Sequence, residues 1–207
     1  MEQALTISEY AIFAILIGGS ILTLAVGIER AIIYSEITKF ANEIVPAIKE
    51  ALSSGSIDEL EEFEKKYPQN IYAKLCTFIK LNYSKGEQAL LHLLGGKINE
   101  EKIHLEKHLT ILASLGSNAP FIGLLGTVLG IIKAFYGIGA LGDDGGAVIM
   151  RGIAVALITT AAGLIIAMPA IIANNFFHRK VKIITHIMEQ ISETALVSYH
   201  IKKGENQ

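Results

Sequence analysis

Three stretches of this 207-residue chain run without a charged side chain for long enough to cross a bilayer. They are Tyr10–Ile28 (19 residues), Leu109–Ile132 (24) and Gly152–Phe177 (26). A span needs about 20 apolar residues at about 1.5 Å each. Hydrocarbon offers no water to the peptide groups, so each span must be a helix, which satisfies its own backbone. The expected fold is therefore an all-α integral membrane protein with three transmembrane helices and long cytoplasmic helical extensions. The mean hydropathy of +0.45 agrees. The 19 glycines sit largely inside the apolar runs, where a soluble helix would avoid them. The residues before the first run carry Glu2 and Glu9 and no Lys or Arg. A cleaved secretory signal begins with a basic segment, so the first run is read as a retained span.

Charge asymmetry orients the spans. Residues 35–108 hold ten Lys and residues 178–207 hold five more Lys or Arg, while 137–146 hold none and carry Asp143 and Asp144. Arg30 closes the first span, and Arg179, Lys180 and Lys182 follow the third. Basic loops stay in the cytoplasm, which puts 35–108 and the C-terminus inside and the N-terminus outside. Four segments result: an N-terminus with the first span (1–34), a cytoplasmic helical segment (35–108), the second and third spans (109–177) and a cytoplasmic C-terminal helix (178–207).

In the cytoplasmic segment, Ser56-Ile57-Asp58-Glu59 reads as a capping box, and Pro68 ends the helix it starts. Leu75, Phe78, Ile79, Asn82 and Tyr83 recur at helical spacing. From Glu100 the polar helix is expected to run directly into the second span. After the third span, Ile183, Ile184, Ile187, Met188, Ile191 and Ala195 form an apolar stripe, expected to pack on the other cytoplasmic helices.

Other function classes find little support. A net charge of −2 leaves no basic excess to neutralise nucleic-acid phosphates. The lone Cys76 fits a reducing compartment. Gly137–Gly142 matches G-x-G-x-x-G, but a membrane helix precedes it and no βαβ unit surrounds it, so it reads as a turn. His104 and His108 could share a helix face, but no third ligand accompanies them and Glu106 is misplaced for H-E-x-x-H. No enzyme, metal or cofactor is expected.

The informative signal is a face of small residues on each of two spans. Ala119, Gly123, Gly126, Thr127, Gly130 and Ala134 recur every three or four residues on the second span. Gly152, Ala156, Thr159, Thr160, Gly163 and Ala167 do so on the third. Such stripes let helix backbones approach closely, and Gly126-x-x-x-Gly130 has the GxxxG form. Packing explains the glycines and Ala156. Pro120 and Pro169 are expected to kink their helices. Thr127 lies ten residues before Gly137 and Thr160 nine after Arg151. At about 1.5 Å per residue, both sit roughly 14–15 Å below the outer ends of their spans, near mid-bilayer. Hydroxyls at one level suggest a polar pathway, with Thr159 beside them. Neither span contains a carboxylate. A proton relay normally uses an ionisable group within the membrane, so a second chain would have to bring it. Lys133 and Arg151 lie near the outer ends, within reach of Asp143 or Asp144.

The run Asn118-Ala119-Pro120-Phe121-Ile122-Gly123-Leu124-Leu125-Gly126-Thr127-Val128-Leu129-Gly130-Ile131 resembles the second-span signature of the ExbB/TolQ/MotA family. Gly152-Ile153-Ala154, then Ala156 through Leu164, then Ala167-Met168-Pro169-Ala170, resemble its third-span signature. The likeness is strong from about Leu109 to Arg179. It implies a subunit of a proton-driven motor in the bacterial inner membrane. Such subunits form a ring, a pentamer in this family, around a dimer of a single-span partner like ExbD, TolR or MotB. That partner supplies the proton-binding aspartate, and the family's pore threonines match Thr127 and Thr160. Rotation would be passed to a periplasmic protein of the TonB or TolA type.

One position departs from the pattern. Val155 stands where ExbB and TolQ commonly have Glu, which makes Gly-Ile-Ala-Val-Ala-Leu more like MotA. The short cytoplasmic segment and Ala167-Met168-Pro169-Ala170 favour the ExbB/TolQ type. The competing readings are a MotA-like stator subunit and a passive membrane scaffold whose small faces only pack helices.

Overall fold

A computed structural model describes residues 2–136 and 145–204, with the side chains of 2, 145, 147, 148 and 202–204 excepted. Seven α-helices are described: α1 (Glu2–Ile37), α2 (Ala41–Ser53), α3 (Leu60–Lys66), α4 (Ile71–Asn82), α5 (Glu87–Glu106), α6 (Leu109–Tyr136) and α7 (Gly145–Gly204). Among the described residues there is no strand. Three stretches are long and apolar enough to cross a membrane: Gln3–Ile37, Leu109–Tyr136 and Ile149–Ile201. The all-α fold with three transmembrane helices stands. The third span and the expected C-terminal helix are one uninterrupted helix, α7.

The chain divides into two units. One comprises Met1–Ile28 and His108–Phe177, the other Glu29–Lys107 and His178–Gln207.

In the membrane-spanning unit, Ile12 and Leu16 of α1 join Ala119 of α6 and Ala167 of α7 in a buried cluster flanked by Ile122, Leu129, Ala162 and Ile166. About a third or less of each span is covered by protein. The outward faces carry Ile15, Phe121, Leu125, Val128, Leu157, Ile165 and Ile172, which would be costly in water and are at home against lipid or another chain.

The second unit has a core of the soluble kind. Ile44, Ile48, Leu52, Leu60, Tyr72, Leu75, Ile79, Leu90 and Leu94 are almost wholly buried. Ile184, Met188, Ile191 and Ala195 of α7 are equally covered, so the apolar stripe turns inward. Ile183 lies just off that face and stays exposed. Asn70 ties the unit together locally. Its side chain caps α4 by accepting from the Tyr72 and Ala73 amides (2.9 and 3.2 Å) and donates to the Lys39 carbonyl (2.7 Å).

Several local expectations are corrected. Ser56 makes no capping bond; it begins a 3₁₀ turn over Ile57–Glu59, and its hydroxyl meets Ser54 Oγ at 3.1 Å. The helix before Pro68 does end there, with α3 closing at Lys66. Polar helix does not run straight into the second span. α5 stops at Glu106, Lys107 is extended (φ −51°, ψ 135°), and His108 takes a left-handed φ of 66° before α6 begins. His104 and His108 therefore share no helix face. A non-glycine residue in that region costs about 1–2 kcal/mol, which the flanking helices must offset. Cys76 is fully buried, and burial pushes its thiol up to about 12. It is an inert core thiol. Pro120 and Pro169 lie inside α6 and α7, each of which continues through its proline.

Candidate functional site

The small-residue faces of the second and third spans meet each other within one chain. A Cβ on Gly123 would lie 2.7 Å from the Thr159 carbonyl oxygen and 3.0 Å from Thr160 Cα. One on Gly163 would lie 2.6 Å from the Ala119 carbonyl oxygen. One on Gly126 would strike the Thr159 side chain at 2.9 Å. One on Gly130 would strike Ala156 Cβ at 2.7 Å, and one on Gly152 would strike Ala134 Cβ at 2.6 Å. Gly116, outside the expected face, extends the seam to Ile171. Backbone-to-backbone approach this close is possible only where one partner lacks a side chain.

That approach brings the threonines together. Thr127 Oγ1 and Thr160 Oγ1 are 3.0 Å apart, either able to donate to the other. Each hydroxyl has an alternative acceptor, the Leu124 carbonyl for Thr127 Oγ1 (2.6 Å) and the Gly123 carbonyl for Thr160 Oγ1 (3.2 Å), so two protons are shared among three bonds and can be redirected. Thr127 is buried within the unit, and Thr160 is partly open. Each hydroxyl has one proton and two lone pairs, so the pair can donate to a carboxylate or accept from a carboxylic acid without carrying a charge of its own. The close approach at Gly123 is what aligns it, since that residue faces both Thr159 and Thr160.

Thr159 sits elsewhere. It is buried beneath Gly126, and its hydroxyl donates back to the Ala156 carbonyl. Thr127 makes the same kind of i−3 bond to Leu124; what sets Thr159 apart is its burial against Gly126 and its lying outside the Thr127–Thr160 pair. Val155 is exposed, at the flank of the small-residue face of α7.

One ion pair is not anticipated from the sequence. Lys133 of α6 donates to Glu9 Oε2 of α1 at 2.6 Å, a partner other than the Asp143 or Asp144 expected from the sequence. Those aspartates, and the Gly137–Gly142 turn, lie outside the described residues. Opposite charges bordering two spans at the same end were the available signal. Among the described residues, no three of His, Cys, Asp or Glu are grouped to hold a metal.

The arrangement is a pair of neutral hydroxyls set by close helix packing, with no carboxylate of its own on either span. Residues 61–190 match the model of the MotA/TolQ/ExbB proton channel family. The chain belongs to this family. Among its relatives is an ExbB biopolymer transport protein of Aquifex aeolicus, 40% identical over 59% of this chain and 87% of that one. Another, from Neisseria gonorrhoeae, is 34% identical over 73% of this chain and 66% of that one. A Helicobacter pylori ExbB is 48% identical over 40% of this chain and 57% of that one. The MotA/TolQ/ExbB match covers both spans of the seam and most of the second unit. These relatives are of the ExbB type, which accords with the Ala167-Met168-Pro169-Ala170 signature.

Proposed function

We propose that this chain is the proton-channel subunit of an ExbB/TolQ-type motor in the bacterial inner membrane. The observation that carries this reading is the Thr127–Thr160 hydroxyl pair, 3.0 Å apart at mid-span, on two membrane spans that hold no carboxylate. Copies of the chain form a ring, a pentamer by family resemblance, around a dimer of an ExbD- or TolR-like single-span partner. The partner's aspartate takes up a proton on one side and releases it on the other. The threonine pair is the place where that carboxyl group can exist in either state within hydrocarbon. The resulting motion drives a TonB- or TolA-like periplasmic protein, and the relatives' naming as biopolymer transport proteins supports that assignment. A passive scaffold accounts for the glycines and Thr159 but gives no reason for two threonine hydroxyls to meet at one depth on a partly open residue, Thr160.

Proton flux into liposomes tests the reading. The chain purified with its single-span partner should conduct under an imposed potential, and should stop when the partner's intramembrane aspartate becomes asparagine. Undiminished flux in that variant would sink the proposal.

The N-terminus and the 137–146 connection are proposed to face the periplasm, on the Lys and Arg asymmetry. Cys76 is buried and cannot report the inner side, so the exposed Ser84 replaces it. With Cys76 changed to Ala, a membrane-impermeant thiol reagent should label Asp143→Cys in intact spheroplasts and spare Ser84→Cys. The reverse pattern would invert the topology.

A further inference from the structure

Lys133 of the Lys133–Glu9 ion pair shares α6 with Thr127 of the hydroxyl pair. Lys133 is the one charged residue on α6, six positions beyond Thr127. At about 1.5 Å per residue, it sits roughly 9 Å along the helix from the hydroxyls. The ammonium and carboxylate meet at 2.6 Å with side chains 29% and 23% exposed. The carboxylate lies over Gly130, where a Cβ would come into ordinary contact with Glu9 Oε1 at 3.7 Å.

A fixed positive charge beside a proton route is a barrier, the device by which some pores exclude protons. At an effective dielectric constant of about 20, an unpaired ammonium about 9–11 Å away disfavours a passing proton by about tenfold. Paired at hydrogen-bond distance, the two charges present only a dipole. The pair is not needed merely to hold α1 in place. Ile12 and Leu16 already pack on Ala119 and Ala167, and Gly19 sits against Leu115.

We propose that Glu9 is a charge-neutralising and positioning residue of the proton route: it turns Lys133 away and cancels its field at the periplasmic mouth. This rests on the function and orientation proposed above. It assigns the first span a part in conduction through electrostatics.

The test uses the chain purified with its single-span partner in liposomes, with proton flux measured at low and high salt on the side of the pair. Glu9→Gln removes the carboxylate that meets Lys133 and should lower flux about tenfold. The loss should shrink as salt rises, because the screening length falls from about 30 Å at 0.01 M to about 3 Å at 1 M. Lys133→Gln removes the cation and should not lower flux. Glu9→Gln with Lys133→Gln should restore it, with no salt dependence. A purely mechanical tie between helices predicts the opposite: equal, salt-independent losses in both single variants and no rescue in the double. That result, or full flux in Glu9→Gln, would overturn the inference. If Glu9→Gln fails to assemble, the exchanged pair Glu9→Lys with Lys133→Glu decides, with wild-type flux supporting the inference and a tenfold loss refuting it. Thr127→Val with Thr160→Val is measured alongside. Normal flux there would refute the threonine route itself, which a failure of the Glu9 series alone would not.

Discussion

Thr127→Val combined with Thr160→Val is expected to reduce energy-dependent transport in cells to background while leaving the assembled complex at its normal mass. The membrane potential supplies about 2.3 kcal/mol per charge per 100 mV, enough for a mechanical step only if protons cross at a controlled site. A carboxyl group must be neutral against lipid or apolar helix and can ionise only where polar groups or water stabilise it. In the function proposed above, the hydroxyl pair, 3.0 Å apart, is such a place. Valine has nearly the shape of threonine and no hydroxyl, so the seam should stay closed. The lost side-chain bonds end on the Leu124 and Gly123 carbonyls. Those carbonyls are helix acceptors already, and the cost to stability should stay near ~1 kcal/mol. Thr→Ser at both positions should retain much of the activity. Transport assays in cells beside native mass spectrometry of each purified variant make the measurement. Full transport in the double valine variant would reduce these hydroxyls to packing.

Gly123→Ala should be among the most damaging single-methyl additions in the chain. The added carbon would meet the Thr159 carbonyl oxygen at 2.7 Å and Thr160 Cα at 3.0 Å, both backbone atoms that no rotamer change can move. Overpacking of a close-fitted core typically costs about 1–3 kcal/mol, and the upper end or beyond is expected where the obstacle is backbone. Separating α6 from α7 would also pull Thr160 from Thr127, so activity should fall with stability. Gly27→Ala is the control, since nothing lies within 4 Å of its Cβ position. A drop of many degrees in the unfolding temperature in mild detergent is expected for the first and little change for the second. Equal stability of the two would contradict the seam. Gly130→Leu should act in the same way, through Ala156 Cβ at 2.7 Å. Any loss of oligomer would then follow from damage within the chain.

Much of the molecule was legible in advance. The three spans follow from charge-free length alone, and the soluble-type core from helical spacing at residues such as Leu75, Ile79, Ile184 and Ile191. The equal depth of Thr127 and Thr160 could be counted from the ends of their spans. Local signals misled where capping and breaking depended on neighbours. Ser56 found another hydroxyl rather than a helix amide. His108 adopted a left-handed φ, which histidine tolerates better than most non-glycine residues but which no glycine or proline marked in advance.

Length without charge, period and the side on which lysines gather are properties of the chain read one residue at a time. They determined the class of protein, the number of spans and which residues could face one another. Which surfaces actually meet is a matter of approach in three dimensions. Only the tertiary structure decided that the two small-residue faces close on each other, that this buries Thr159 while leaving Thr160 partly open, and that Lys133 turns to Glu9, 124 positions away in sequence. Close packing in lipid depends on sub-ångström complementarity between backbones, and a one-dimensional pattern carries the opportunity for that fit but not its partner.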